Sequence, residues 1–188
     1  MLEFISKFVF NTFREFSILV AGPFVVLEML WVIIPILFMI FLLTFYLTEH
    51  ENEKNSWRDA LTNSIALCFV SIDLLRTLYT QSTPASIENL FNEPWLLLFI
   101  GFILFQGLFF AYSSFRHQLP KLIVKFITSP IGVYVQTYVV TVLVYTRTSP
   151  TIHTISAILL LYLCVSWVMF IFSDYVRKKI MHVEDIQI

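Results

Sequence analysis

The sequence predicts an all-α protein, a multi-pass integral membrane helix bundle, and three observations carry that class. Four stretches, Met29–Thr48, Pro94–Phe115, Phe126–Thr146 and Thr154–Ser173, each run 20 residues or more without a formal charge. A hydrocarbon core about 30 Å thick is crossed by roughly 20 apolar helical residues, and apart from closed barrels only helices satisfy their own backbone there. Composition agrees, with 58% hydrophobic, 17% aromatic and 13% charged residues and a mean hydropathy of +0.80. Lys and Arg gather at 116–125 and 177–179, as the positive-inside rule expects of segments left on the cytoplasmic face. So little chain lies outside the apolar runs that no separate aqueous core can be buried, and residues 1–188 read as a single membrane domain.

Residues 1–22 begin the chain as an amphipathic interfacial helix. Leu2, Ile5, Val9, Phe13, Phe16 and Val20 recur at helical spacing, with Glu3, Lys7 and Arg14 on another side, and Gly22-Pro23 is expected to break the helix. The charges interrupt any clean apolar core and no small-residue cleavage site follows, so the segment is not read as a signal peptide. It is expected to pad the cytoplasmic side of the bundle. The first span is 24–47, with Trp31 and Tyr46 near its two interfaces.

Segment 57–80 is long enough to span but contains Asn63, Asp73 and Arg76. Each central charge costs about 2.5–3.5 kcal/mol on insertion scales. It either spans or packs. The reading favours four crossings with both termini cytoplasmic, because Lys7 and Arg14 then obey the positive-inside rule. Asp59, Thr62, Asn63, Ala66, Asp73, Arg76, Thr77 and Thr80 form a polar stripe on it, opposite Leu61, Ile65, Cys68, Ile72 and Leu75. Asp73 and Arg76 stand three apart, where opposite charges can meet. The stripe either lines a hydrated path or is an interfacial helix with its polar side in water, and the second is the commoner origin of such a pattern.

Span 94–115 follows, entered by Trp95 and left through Tyr112, with Gly101 and Gly107 thinning it where a neighbour approaches. Its one strongly polar interior residue is Gln106. Residues 116–128 form a basic cytoplasmic connection. Span 130–146 carries hydroxyls at Tyr134, Thr137, Tyr138, Thr141 and Tyr145, which share one face and can bond neighbouring helices or offer water a path. A tight hairpin joins it to the last span, 153–174, and 175–188 is a cytoplasmic tail. Cys68 and Cys164 both fall in apolar segments and read as small buried thiols.

No catalytic set appears: no HExxH, GxSxG, Cys-x-x-Cys, P-loop or GxGxxG, and no paired aspartates within the spans. The histidines lie singly, which leaves no metal ligand set, and no cofactor is implied. A net charge of −1 gives no ground for direct nucleic-acid binding. The expected function is therefore a non-enzymatic, homo-oligomeric sensor or anchor subunit in the plasma or inner membrane. It would hold a cytosolic effector protein, as in envelope-stress or phage-defence complexes. Its candidate partner or lipid contacts are Arg116, Lys121, Lys125, Arg177, Lys178, Lys179, Ile186 and Ile188, since a free tail has no need of apolar residues. The alternative is a small homo-oligomeric ion channel, with Asp73, Arg76, Asn63 and the Tyr134–Tyr145 face near the water path.

Overall fold

The computed structural model describes residues 2–49, 56–80, 85–116 and 129–184. All regular elements among them are helical: α1 (Leu2–Val25), a 3-10 turn (Leu27–Met29), α2 (Leu30–Glu49), α3 (Ser56–Tyr79), α4 (Asn89–Asn92), α5 (Pro94–Arg116), α6 (Pro130–Thr146) and α7 (Ile152–Glu184). Five of them, α1, α2, α3, α5 and α7, are long and apolar enough to cross a membrane. The helical membrane bundle expected from the sequence is what these residues form.

The 17-residue α6 is shorter than those five, about 26 Å at 1.5 Å per residue. Its ten buried residues explain why it tolerates that length: it is the central post, sheathed by the other helices rather than by lipid. Side-chain contacts give the helix directions. Met29 approaches Gly22, which lies beside Val142 and Thr146, whereas Phe41 further along α2 stacks edge-on against Phe172. Thus α2 starts near the α6–α7 hairpin and ends near the far part of α7. Tyr145 meets Asp73 and Thr77 late in α3, and Asn89 Nδ2 donates to the Tyr79 carbonyl at 2.9 Å. Hence α3 climbs toward the hairpin end and α5 descends from it, finishing at Arg116, at the same end as Arg177 and Lys178 of α7.

Of the two alternatives the sequence leaves for segment 57–80, the length and apolarity of Ala60–Tyr79 are compatible with spanning. Antiparallel to α5 along its length, α3 is a fifth lengthwise helix beside α2, α5, α6 and α7. The physical reason lies in an alternation that charge counting overlooks. Buried residues of α3 at 60, 64, 67, 71, 74 and 78 advance by steps of four and three, and those of α5 at 96, 100, 103, 107, 110 and 114 do the same. This is the seam of an antiparallel coiled coil. Ala60, Ser64, Ser71, Gly107 and Ser114 keep it narrow, as membrane helix pairs require. Of the two glycines expected to admit a neighbour, Gly107 does so and Gly101 does not. A Cβ at Gly107 would lie 3.0 Å from Cys68 Sγ and 3.2 Å from the Ser64 carbonyl oxygen, whereas one at Gly101 would meet nothing within 4 Å.

The polar stripe of α3 turns inward over most of its length: Asn63 is buried and Thr62, Ala66, Asp73 and Thr77 are half-buried, whereas Arg76 and Thr80 near its end are exposed and the side chain of Asp59 lies outside the described residues. Ile65, Phe69 and Ile72 face outward. In hydrocarbon the cheap outer face is the apolar one, so the helix is turned inside out relative to a soluble amphipathic helix.

The first helix also differs from expectation. It continues through Pro23 to Val25. Phe8 packs on His153, Glu15 meets Thr154, and Gly22 abuts Val142 and Thr146. About 21 Å of α1 is thus spent across one end of the α6–α7 hairpin. That end is opposite Arg116 and Arg177, so α1 does not pad the end where the basic connections lie. Ile5, Val9, Phe13 and Val20 of its apolar side are exposed, and among its described side chains Thr12, Leu19, Gly22 and Pro23 are buried.

Candidate functional site

The polar groups singled out in the sequence lie mainly where α3 meets α6. Late in α3, Arg76 Nη2 holds Asp73 Oδ1 at 2.7 Å, and the Tyr145 hydroxyl from α6 donates to Asp73 Oδ2 at 3.3 Å. Thr77 Oγ1 joins this group, 3.0 Å from the Asp73 carbonyl oxygen and 3.2 Å from the Tyr145 hydroxyl. The Asp73 side chain is 17% exposed and that of Arg76 is 71% exposed. Asp73 is therefore the inward, hydrogen-bonded member, and Arg76 extends from the helix toward the polar boundary as long cations do at membrane edges. Chemically the group is a clamp, in which a neutral phenol and a guanidinium stabilise one carboxylate while fastening α3 to α6.

The remaining hydroxyls of the α6 stripe do not line one path. Thr137 and Thr141 turn back onto their own helix, bonding the carbonyls of Val133 and Thr137 at 2.7 and 2.9 Å. Tyr138 reaches α1 and donates to the Leu19 carbonyl at 2.8 Å. Tyr134 is buried on the side of α2 and α3, and Asn63 is buried within α3's inner face. The stripe that looks continuous in projection is divided among three neighbours.

Three further contacts lie outside the polar stripes. Gln136 Nε2 donates to Gln106 Oε1 at 2.8 Å, tying α5 to α6. At the hairpin end, Thr151 and Thr154 exchange backbone-to-hydroxyl bonds of 3.1 and 3.2 Å, a reciprocal cap for the start of α7. Thr154 Oγ1 also donates to Glu15 Oε2 at 3.2 Å. Thr-x-x-Thr before an apolar run is available in the sequence as a helix start, and Gln106 stands out there without its partner. Nothing local indicates that Glu15 would meet Thr154, because 139 residues separate them.

Among the described residues no group of three His, Cys, Asp or Glu side chains converges on a metal-sized site. Cys68 is half-buried beside Gly107, and Cys164, expected to be buried, is exposed on the outer surface of α7. No family model matches the chain, and no curated protein or solved structure matches it.

The proposed partner contacts are only partly in view. Arg116 is exposed and its guanidinium lies 5.8 Å from the centre of the Tyr112 ring. Lys178 pairs with Asp174 at 2.7 Å one turn earlier, and Arg177 is exposed beside it. Lys121, Lys125, Ile186 and Ile188 lie outside the described residues, as does the side chain of Lys179.

Because Asp73 and Tyr145 join different helices, Asp73→Asn and Tyr145→Phe are expected to be non-additive. A double-mutant cycle on unfolding in detergent should return a coupling of about 1 kcal/mol, the usual worth of an intramembrane interhelical bond. Additive losses would mean that the clamp does not join the helices.

Proposed function

We propose that this chain is a non-enzymatic, homo-oligomeric membrane anchor or sensor subunit that holds a cytosolic effector through its last helix. The observation supporting this reading is the length of α7. Its 33 residues extend about 50 Å, against about 30 Å of hydrocarbon. The excess carries Asp174, Arg177 and Lys178 beyond the reach of α6 as a charged helical stalk, a shape suited to docking a soluble protein. Effectors of envelope-stress or phage-defence responses are the proposed class.

The channel alternative draws less support from the geometry, since the α6 hydroxyls serve that helix's own backbone and two different helices, α1 and α3, rather than a shared aqueous wall. Current recordings across bilayers containing the purified protein separate the two readings. Reproducible conductance that changes with Asp73→Asn would favour the channel. For the anchor, a tagged full-length chain should recover an effector that a chain lacking residues 180–188 loses. Unchanged recovery would remove the tail from that role.

The orientation we propose places the Arg116–Lys125 connection and Arg177–Lys179 in the cytoplasm of a cell with the protein in its plasma or inner membrane. With five lengthwise helices, the α6–α7 hairpin and α1 then face outside. Single cysteines introduced at Lys7 and Ser149, in a chain freed of Cys68 and Cys164, should react with an impermeant maleimide added to intact cells, and one at Lys178 only after lysis. Protection of the Lys7 position together with labelling at Ser149 would contradict the placement of α1.

A further inference from the structure

Gln106 of α5 and Gln136 of α6 form an amide pair bonded at 2.8 Å, and both side chains are half-buried. Gln106 stands about 18 Å along α5 from Pro94 and about 15 Å before Arg116, so the pair lies near the middle of a hydrocarbon core about 30 Å thick. Two primary amides carry four N–H donors and two carbonyl acceptors. Their mutual bond uses one of each, and among the described residues neither side chain makes another. Neither lipid tails nor water supply partners at this depth, so the unused groups cost free energy unless another protein meets them.

The pair is reached from outside. Phe102 and Phe109, four residues before Gln106 and three after it, are exposed on the same side of α5. Gly132, one turn before Gln136 on α6, has nothing within 4 Å of where a Cβ would stand. That leaves room for a neighbouring side chain next to the amides. Gly101 has open space too, but it lies about 140° around α5 from Gln106.

We propose that a second copy of the chain docks at this window, with Gln106 Nε2 of each copy donating to Gln136 Oε1 of the other. The inference rests on the homo-oligomeric part of the function proposed above and names its interface. Two copies inserted with one topology and closed into a dimer are related by an axis along the membrane normal, so residues meet their partners at equal depth. Gln106 and Gln136 share a depth, because they bond to each other. The same donor and acceptor are therefore offered twice across the axis, the self-complementarity that an isologous contact requires. A membrane protein of different sequence would need its own amide at that level, and a second copy carries one already.

The test uses the full chain in phospholipid vesicles over a range of protein-to-lipid ratios, with energy transfer between donor- and acceptor-labelled copies reporting association. The wild-type chain should associate. Gln106→Leu should weaken association about thirtyfold, the loss of two intramembrane hydrogen bonds per dimer. Gly132→Leu leaves both amides in place and meets no neighbour within its own chain, so it should fold and still weaken association at least about tenfold by blocking the approach, while Gly101→Leu should leave it unchanged. Should Gln106→Leu fail to fold, the two glycine variants decide alone. Association that survives Gly132→Leu, or that Gly101→Leu weakens as much, overturns this interface and leaves a homo-oligomer in place. A chain that stays monomeric at every ratio overturns both the interface and the oligomeric reading.

Discussion

Gly107→Val should dismantle the pairing of α3 with α5 and lower stability by about 3 kcal/mol or more, with Gly107→Ala costing about 1–3 kcal/mol. A side chain at this position has nowhere to go. Its first carbon would meet Cys68 Sγ at 3.0 Å, Leu67 Cβ at 3.1 Å and the Ser64 carbonyl oxygen at 3.2 Å. The cysteine can rotate, but the carbonyl belongs to the opposing backbone and moves only if the helices separate. Separation costs dispersion contacts along the whole seam from Ala60 to Leu78, and in lipid those contacts are the main attraction between apolar helices. Gly101→Ala supplies the control: nothing lies within 4 Å of the added carbon, so its effect should stay within about 0.5 kcal/mol, or favour the helix slightly through propensity. Unfolding of the variants in detergent micelles measures both. Equal losses at the two glycines would show that the penalty comes from helix propensity and not from close approach.

The bundle itself could be read from the sequence because uncharged runs of span length have few other uses, and the runs at 94–115 and 130–146 coincide closely with α5 and α6. The fate of segment 57–80 could not be read in the same way. Insertion scales treat Asp73 and Arg76 as isolated charges, whereas the folded chain gives Asp73 both Arg76 and Tyr145 and places Arg76 at an exposed position late in the helix. A four-and-three alternation of small and apolar residues in both α3 and α5 would have revealed the pairing. That alternation is obscured because polar residues face outward on a helix in water, and in a membrane the rule reverses. The α6 face was recognised as a set of hydroxyls, yet its division among Asp73, Leu19 and the helix's own backbone depends on which helices surround it. That information lies in contacts more than 60 residues apart, beyond any local pattern.

The bond from Tyr138 to Leu19 shows such a distant dependence and gives the second large prediction. In a continuous helix the Leu19 carbonyl would accept from the amide of residue 23, but residue 23 is proline and has no N–H. Leu19 is 1% exposed, and the Tyr138 hydroxyl at 2.8 Å supplies the missing donor from α6. The tyrosine thereby lets α1 pass through Pro23 beside the bundle without leaving a carbonyl unsatisfied. Tyr138→Phe should destabilise the protein by about 1–3 kcal/mol, the cost of a buried acceptor left alone. Pro23→Ala restores an amide at position 23, so the same tyrosine change made in that background should cost less than about 0.5 kcal/mol. The relation is conditional in one direction: the helical amide makes the phenol dispensable, while the phenol does not restore a helical hydrogen bond. If Tyr138→Phe is equally damaging with proline or alanine at position 23, its role is ring packing against α1, and the hydroxyl is not what allows the helix to continue past Pro23.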